Sequence, residues 1–221
     1  MIQPFENGFS AVEARLCFSG RSGILSWRVV CLDFLRLGWS DVELACREIA
    51  EEIRSRKLDG HMLVGISRGG LVPLRLISDY TASRRVSTLG VRFYEDLGRT
   101  AEEPEVFFPV QGDVSGRGVI LVDDISDTGQ SLIAAKKHLF DKGASEIVVA
   151  TVCKKPHTKF DPDICTFETP RWVIFPWEVR EAIKHITDSA EGRDEAEAEL
   201  RRADISEDEY RDILTARFGG G

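Results

Sequence analysis

The sequence predicts an α/β protein in which a twisted parallel sheet is flanked by helices. Apolar runs without strict alternation occur at 61–66, 119–122 and 147–152, as in strands that are covered on both faces. Segments with apolar residues at helical spacing separate these runs, for example 42–53 and 132–139. Because the two kinds of segment alternate with short links, we expect parallel strands joined by crossover helices.

The composition is that of an ordinary folded domain. The chain has 221 residues, of which 43% are hydrophobic and 30% charged, enough for one substantial core. A formal net charge of −8 and the lack of a basic run argue against a nucleic-acid surface. The early apolar stretch 23–39 contains Arg28, Asp33 and Arg36, so it is too charged to span a membrane. Five cysteines without a C-x-x-C pair indicate no disulfide framework or zinc site, and so predict a reducing, cytoplasmic location.

The chain divides into three parts by pattern. Residues 1–38 show no clear period and are predicted as an N-terminal extension of unknown role. The α/β pattern occupies 39–190 and begins with a helix whose predicted capping box runs from Ser40 to Glu43. Residues 191–221 hold ten acids against five arginines, so most of the net negative charge lies in this tail. A second capping box there, from Ser206 to Glu209, predicts a small helical appendage.

A glycine-containing turn follows the first buried strand, with the sequence Ser67-Arg68-Gly69-Gly70. A helix comes next, and Pro73 falls in its first turn, where proline is tolerated. Glycines at the end of a strand allow the backbone to approach a ligand closely. Taken alone, this pattern indicates only a turn.

A second strand-to-helix junction spans residues 119–131, with the sequence VILVDDISDTGQS. Asp123 and Asp124 come at the carboxyl end of the apolar strand, where open α/β sheets bind their ligands. The hydroxyls, glycine and backbone N–H groups of 126–131 predict an anion site at the start of the next helix. One end of the junction thus offers donors and the other offers paired acceptors, as a sugar phosphate requires.

This string resembles the phosphoribosyl pyrophosphate loop of the type I phosphoribosyltransferases, in which two adjacent acids precede an Asp-Thr-Gly turn. The resemblance implies that Asp123 and Asp124 hold the ribose hydroxyls, directly or through Mg²⁺. It implies the fold of that family too, a parallel twisted sheet with a small hood. The alternative is an ordinary βα turn with aspartate as a turn residue. The residues implied to bind the 5′-phosphate are Asp127, Thr128, Gly129, Gln130 and Ser131.

Two earlier segments fit the same family. The turn Ser67, Arg68, Gly69 and Gly70 resembles its pyrophosphate loop, in which the arginine and the glycine amides bind the leaving group. A predicted strand at 86–93 is followed by a polar stretch, 94–105, where the family has a flexible lid that often bears a Ser-Tyr pair. This chain has Phe93 and Tyr94 instead, so Tyr94 is predicted either as a lid residue or as a packed aromatic.

Two later segments narrow the resemblance to the 6-oxopurine phosphoribosyltransferases, above all the xanthine–guanine type. They are a Lys-Pro pair at a strand end and, in a predicted last strand, the string Trp-Val-Ile-Phe-Pro-Trp-Glu. The resemblance implies that Lys155 donates to O6 of the base. It also implies that Trp172 covers the purine plane, that the Val173 carbonyl meets its far edge, and that Glu178 lies near the metal. The alternatives are Lys154 in place of Lys155, or a surface lysine and a core tryptophan without a ligand.

The resemblance implies an enzyme of purine salvage that transfers 5-phosphoribosyl from phosphoribosyl pyrophosphate to guanine, xanthine or hypoxanthine, the choice among them being open. Asp127 would do the acid–base work, beside Asp123 and Asp124 at the cationic sugar. The family usually forms dimers or tetramers. A regulator that senses the donor on the same fold is the alternative from another class. Transfer to adenine or a pyrimidine is the alternative within the family.

Overall fold

The computed structural model describes residues 33–93, 95–96, 99–100 and 104–219, with only the backbone of 95–96 and 99–100. Its helices are α1 (Trp39–Ser55), α2 (Leu71–Tyr80), α3 (Gln130–Asp141), α4 (Val179–Ser189), α5 (Arg193–Arg202) and α6 (Glu207–Phe218). Its strands are β1 (Phe34–Arg36), β2 (Met62–Ser67), β3 (Val86–Arg92), β4 (Glu95–Asp96), β5 (Arg99–Thr100), β6 (Glu105–Phe108), β7 (Gly118–Ser126), β8 (Glu146–Lys154), β9 (Ile164–Glu168) and β10 (Trp172–Ile174).

A mostly parallel central sheet confirms the predicted α/β class. Within the described ranges its strand order is β6-β3-β2-β7-β8-β9, and β6 is antiparallel to β3 while the other neighbours are parallel. Strands β1 and β10 form a separate parallel pair, and β4 and β5 a short antiparallel pair.

Strand β7 is covered on both faces, as its unbroken apolar run predicted. Ile120 and Val122 pack into a core with α1 and α2, whereas Val119 and Leu121 face α3 on the other side. Each of these four side chains is at most 1% exposed. Full burial of such aliphatic groups stabilises a fold by about 1.5–3 kcal/mol each, so this strand fixes the centre of the sheet.

Three predictions about local structure are wrong. Helix α1 begins at Trp39, and Gly38 is its N-cap, because the carboxylate of Asp41 accepts the Gly38 N–H at 2.8 Å and so occupies the role predicted for Glu43. The proline and aspartate residues between Pro156 and Arg171 predict a loop, but this segment contains β9, an edge strand whose partial burial leaves only a weak apolar pattern. The predicted last strand is limited to the three residues of β10, and it pairs with β1 and not with the central sheet.

The tail helices pack onto the rest of the described chain. A third core joins α4, α5 and α6 to the β1–β10 pair, with Phe34, Ile183, Leu200, Tyr210 and Leu214 among its buried residues. The capping box predicted at the start of α6 is confirmed, since Glu209 accepts the Ser206 N–H at 3.0 Å.

Some predictions concern residues that the structure does not describe or boundaries that it does not test. Tyr94 and residues 1–32 of the predicted extension lie outside the described residues, and the domain boundaries at 38 and 190 stay predictions. No helix in the described ranges is long and apolar enough to cross a membrane. The described cysteines, Cys46, Cys153 and Cys165, are free.

Candidate active site

The two predicted ligand junctions meet at one edge of the central sheet. Strands β2 and β7 are parallel neighbours, so the turns that leave their carboxyl ends lie side by side. Gly69 is needed there because a β-carbon would come within 2.1 Å of an Asp124 carboxylate oxygen. At Gly70 a β-carbon would lie 2.5 Å from the Val122 carbonyl oxygen. The glycines therefore allow the first turn to lie directly against the acids of the second.

A cavity of about 380 Å³ opens between these junctions. It is lined by ten of the predicted site residues: Ser67, Arg68, Gly69, Asp123, Asp124, Asp127, Thr128, Gly129, Ser131 and Glu178. Five other predicted residues are absent from its lining: Gly70, Gln130, Lys155, Trp172 and Val173. Except for Gly70 and Gln130, the structure thus brings the predicted sugar, phosphate, pyrophosphate and metal residues to one cavity, whereas the predicted base residues are not in its lining.

The predicted 5′-phosphate loop enters α3 through a left-handed glycine. Gly129 has φ 78° and is followed by Gln130, the first residue of the helix. A helix start presents unpaired backbone N–H groups and the positive end of the helix dipole, which together favour an anion. A β-carbon at Gly129 would lie 2.6 Å from Cβ of Phe160, so packing as well as backbone conformation requires glycine.

The carboxyl groups of this cavity are held in an environment that disfavours their charge. Burial, and then the neighbouring Asp124, raise the pKa of Asp123 well above its usual range. Burial raises the pKa of Asp124 to about 6, against the opposing effects of hydrogen bonds that include the Ile125 N–H at 2.7 Å. Burial, Asp124 and Glu181 raise the pKa of Glu178 to about 7. These acids therefore lack a sufficient positive partner.

Arg68 is the one cation among the described residues that line the cavity. Its guanidinium is bound by Glu181 of α4 at 2.5 Å, and its side chain remains 79% exposed. An exposed pair of this kind contributes only about 0.2–1 kcal/mol, so an anion can replace the carboxylate at little cost.

The acids fit a hard divalent cation. Among the described residues no three or more His, Cys, Asp or Glu side chains are gathered in a preformed metal site. Asp123, Asp124 and Glu178 nevertheless supply carboxylate oxygens to one cavity, and oxygen is the donor that Mg²⁺ prefers. Mg²⁺ commonly binds through one or two carboxylates together with the phosphates of its substrate, which agrees with this donor set.

The raised pKa values predict a pH dependence of stability. An acid whose pKa is raised on folding stabilises the folded state while protonated, so stability should fall as pH rises from about 4 to about 7. Urea unfolding across this range should show a smaller fall for Glu178→Gln, which has no proton to lose, than for the wild type. Mg²⁺ should restore more stability near pH 8 than near pH 5. Parallel curves for the two proteins would contradict this prediction.

The two candidate lysines differ in their surroundings. Lys154 makes surface ion pairs with Asp161 at 2.6 Å and Glu168 at 3.6 Å. Lys155 is buried, and its Nζ donates to the Arg171 carbonyl. Burial lowers the pKa of Lys155, and the charge of Asp127 acts in the opposite direction. Of the two lysines, Lys155 is therefore the one whose pKa is affected by the Asp127 carboxylate.

Trp172 lies on a second cavity, of about 500 Å³, together with Val173. Its ring packs against Phe34 at 5.4 Å between centroids and meets His185 edge to face at 5.0 Å. Glu178 lines both cavities, which therefore adjoin at this residue.

Three residues near the site were missed by the sequence analysis. Glu181 binds Arg68, and its position one helical turn after Glu178 is the only local signal for it. The buried indole N–H of Trp177 finds no hydrogen-bond partner among the described residues, yet it lowers the pKa of Asp124 against the larger effect of burial. The His157 imidazole lies 2.9 Å from the Asp127 carboxylate, a contact between distant segments that no local pattern predicts.

The chain is similar in sequence and in structure to several known proteins. The sequence profile described as "Phosphoribosyl transferase domain" matches residues 38–184. A xanthine-guanine phosphoribosyltransferase of Ruegeria sp. (strain TM1040) is 33% identical over 132 residues, which are 55% of this chain and 71% of that protein. The structure of a purine phosphoribosyltransferase from Pyrococcus horikoshii Ot3 aligns with a TM-score of 0.60 and 33% identity, covering 66% of this chain and 94% of that one. A Helicobacter pylori xanthine-guanine-hypoxanthine phosphoribosyltransferase, 23% identical, shares the fold with a TM-score of 0.59 over 67% and 96% of the two chains.

Proposed function

The chain belongs to the phosphoribosyltransferase family, and on this premise we propose that it transfers 5-phosphoribosyl from phosphoribosyl pyrophosphate to a 6-oxopurine in purine salvage. The observation that carries the proposal is the meeting of the two junctions at one acidic cavity whose lining includes Arg68. The similarity to enzymes named xanthine-guanine and purine phosphoribosyltransferases supports a purine as the acceptor.

In the proposed site each loop binds one part of the donor. The 5′-phosphate is bound by Thr128, Ser131 and the N–H groups at the start of α3. The pyrophosphate lies at Ser67, Arg68 and the neighbouring glycine amides. Asp123 and Asp124 hold the ribose hydroxyls and, with Glu178, the metal. When bound, Mg²⁺ neutralises charge on the leaving pyrophosphate.

In the proposed reaction, N9 of the base forms a bond to C1′ as the bond from C1′ to the pyrophosphate oxygen breaks. Positive charge develops on the sugar, where Asp123 and Asp124 oppose it. The base reacts as the tautomer that carries its proton on N7, because its N9 lone pair is then free. Asp127 accepts that N7 proton as the new bond forms, so the transfer needs no protein nucleophile.

The proposed base site joins Lys155 to the second cavity. Lys155 donates to O6, while Trp172 and Val173 provide the face and the far edge of the purine. Because the second cavity adjoins the first at Glu178, a base there lies next to the donor. A homo-oligomer of two or four copies and a cytoplasmic location complete the proposal.

An assay of pyrophosphate release with the donor and Mg²⁺ tests the function. Guanine, xanthine and hypoxanthine should be substrates, and adenine and uracil should be poor ones. The relative rates of the first three also determine which 6-oxopurine is preferred. Tight donor binding without turnover of any base would instead indicate a regulator that senses the donor.

Lys155→Gln should weaken the preference for 6-oxo over 6-amino purines. Lysine only donates hydrogen bonds, so it favours O6 and opposes an amino group, whereas glutamine offers both a donor and an acceptor. Loss of the charge-assisted bond, about 1.5–3 kcal/mol, should reduce the ratio of kcat/KM for hypoxanthine to that for adenine by roughly 10- to 150-fold. Lys154→Gln is the matched control, and a larger effect there would assign the role to Lys154.

A further inference from the structure

The loop between β8 and β9, residues 155–163, packs against the predicted phosphate loop, residues 126–131. Several hydrogen bonds join the two loops. We call the loop 155–163 the crossing loop. The Lys155 N–H donates to the Ser126 carbonyl at 2.9 Å, and the Lys159 N–H to the Thr128 carbonyl at 3.1 Å. The hydroxyl of Ser126, which is fully buried, lies 2.8 Å from that of Thr158 and donates to the Phe160 carbonyl at 2.9 Å.

The packing between the two loops is also tight. At Gly129 an added β-carbon would meet both Phe160 and the Thr158 hydroxyl, at 2.6 Å and 2.9 Å. The crossing loop is therefore held in register with the phosphate loop by main-chain bonds, a buried hydroxyl and direct contact. These contacts position the backbone of the crossing loop relative to the backbone around Asp127.

His157 is the crossing-loop residue that reaches Asp127. Its Nε2 lies 2.9 Å from Oδ1 of the carboxylate, and the two side chains are 63% and 58% exposed. The charge of Asp127 also acts on Lys155 of the same loop, where it raises the pKa of the lysine against the effect of burial. An exposed pair adds at most about 1 kcal/mol to stability, so the contact has little value as a structural bond. Its effect would be on the orientation of the carboxylate.

We propose that His157 is a positioning residue for Asp127. The imidazole donates its Nε2–H to Oδ1 and so fixes the plane of the carboxylate, which leaves Oδ2 free to accept the N7 proton of the base. A general base acts efficiently only within hydrogen-bond reach of that proton, so loss of orientation lowers turnover. This inference rests on the proposed function, because it assigns His157 a role in that reaction.

The test compares His157→Ala with His157→Gln in single-turnover kinetics. Alanine removes the donor, and the rate of the chemical step should fall on the order of 10-fold with donor affinity unchanged. Glutamine restores an N–H donor and should recover most of the rate. In an Asp127→Asn background, His157→Ala should cause no further loss, because the carboxylate it orients is gone.

Lys159→Ala is the matched control, since this exposed side chain is on the same loop and only its backbone N–H bonds to the phosphate loop. It should leave the rate unchanged. The inference is overturned if His157→Ala is as fast as the wild type, if glutamine is as slow as alanine, or if the alanine effect persists beside Asp127→Asn. A wild-type protein that turns over no purine would overturn the proposed function and this inference together. An active wild type with an unaffected alanine variant would overturn the inference alone.

Discussion

Replacing Asp127 by asparagine should lower turnover by roughly 10²–10⁴-fold while donor affinity stays nearly intact. Asparagine keeps the shape and a hydrogen-bonding group but has no carboxylate to accept the N7 proton. The Asp127 side chain is 58% exposed, so the substitution should not disturb folding. Single-turnover kinetics measure the chemical step, and calorimetry with the donor and Mg²⁺ measures binding.

Asp124→Asn is the informative comparison for this prediction. Asp124 is buried, and its pKa is already raised, so a neutral isostere should be accepted by the fold. This variant should weaken metal-dependent donor binding, with less effect on the chemical step once the donor is bound. Equal loss of turnover at saturating donor in the two variants would contradict the division between acid–base and binding roles.

The two junctions that line the first cavity could be predicted because each of them is encoded locally. A buried strand, a turn with glycine or acids, and the start of a helix all lie within a few residues of one another at 62–74 and 119–132. Parallel strands then bring the two turns to the same edge of the sheet without any further information. That the two turns are also neighbours depends on the strand order, since β2 pairs directly with β7.

The rest of the site depends on contacts between distant segments. Strand β9 is an edge strand with mixed burial, so its apolar pattern is weak, and β10 is defined by pairing with β1 at the far end of the described chain. The partners of the predicted residues, Glu181 on Arg68 and His157 on Asp127, are 113 and 30 residues away in sequence. The pattern of a single sequence indicates helical or strand periodicity and turns, but it does not indicate which distant residues come into contact.

The residues predicted to bind the base illustrate the same limit. The string around Trp172 resembles a purine site, but the ring itself packs on Phe34 and His185 beside the second cavity. The surface around Trp172 includes residues of β1 and α4. Helix α4 also shares a hydrophobic core with the tail helices α5 and α6. The predicted extension and tail therefore both contribute residues to the core that supports Trp172.

Replacing Arg68 by alanine should weaken donor and pyrophosphate binding by roughly 10- to 150-fold, the loss of one charge-assisted contact of about 1.5–3 kcal/mol. The described lining of the proposed donor cavity contains four acids, Asp123, Asp124, Asp127 and Glu178, so losing its one cation should also increase the repulsion of the incoming phosphates. Nucleobase binding should change little, since in the proposed site the Arg68 turn contacts only the leaving group.

Arg75→Ala is the matched control, because Arg75 is an exposed arginine of α2 that pairs with Asp79 at 3.1 Å, as Arg68 pairs with Glu181. It should leave pyrophosphate affinity unchanged. Glu181→Gln in place of Arg68→Ala should have the opposite sign and tighten pyrophosphate binding slightly, since it frees the guanidinium and removes a negative charge. Calorimetry measures the affinity of each of the three variants for Mg²⁺-pyrophosphate. Unchanged affinity in a folded Arg68→Ala protein would remove Arg68 from the leaving-group site.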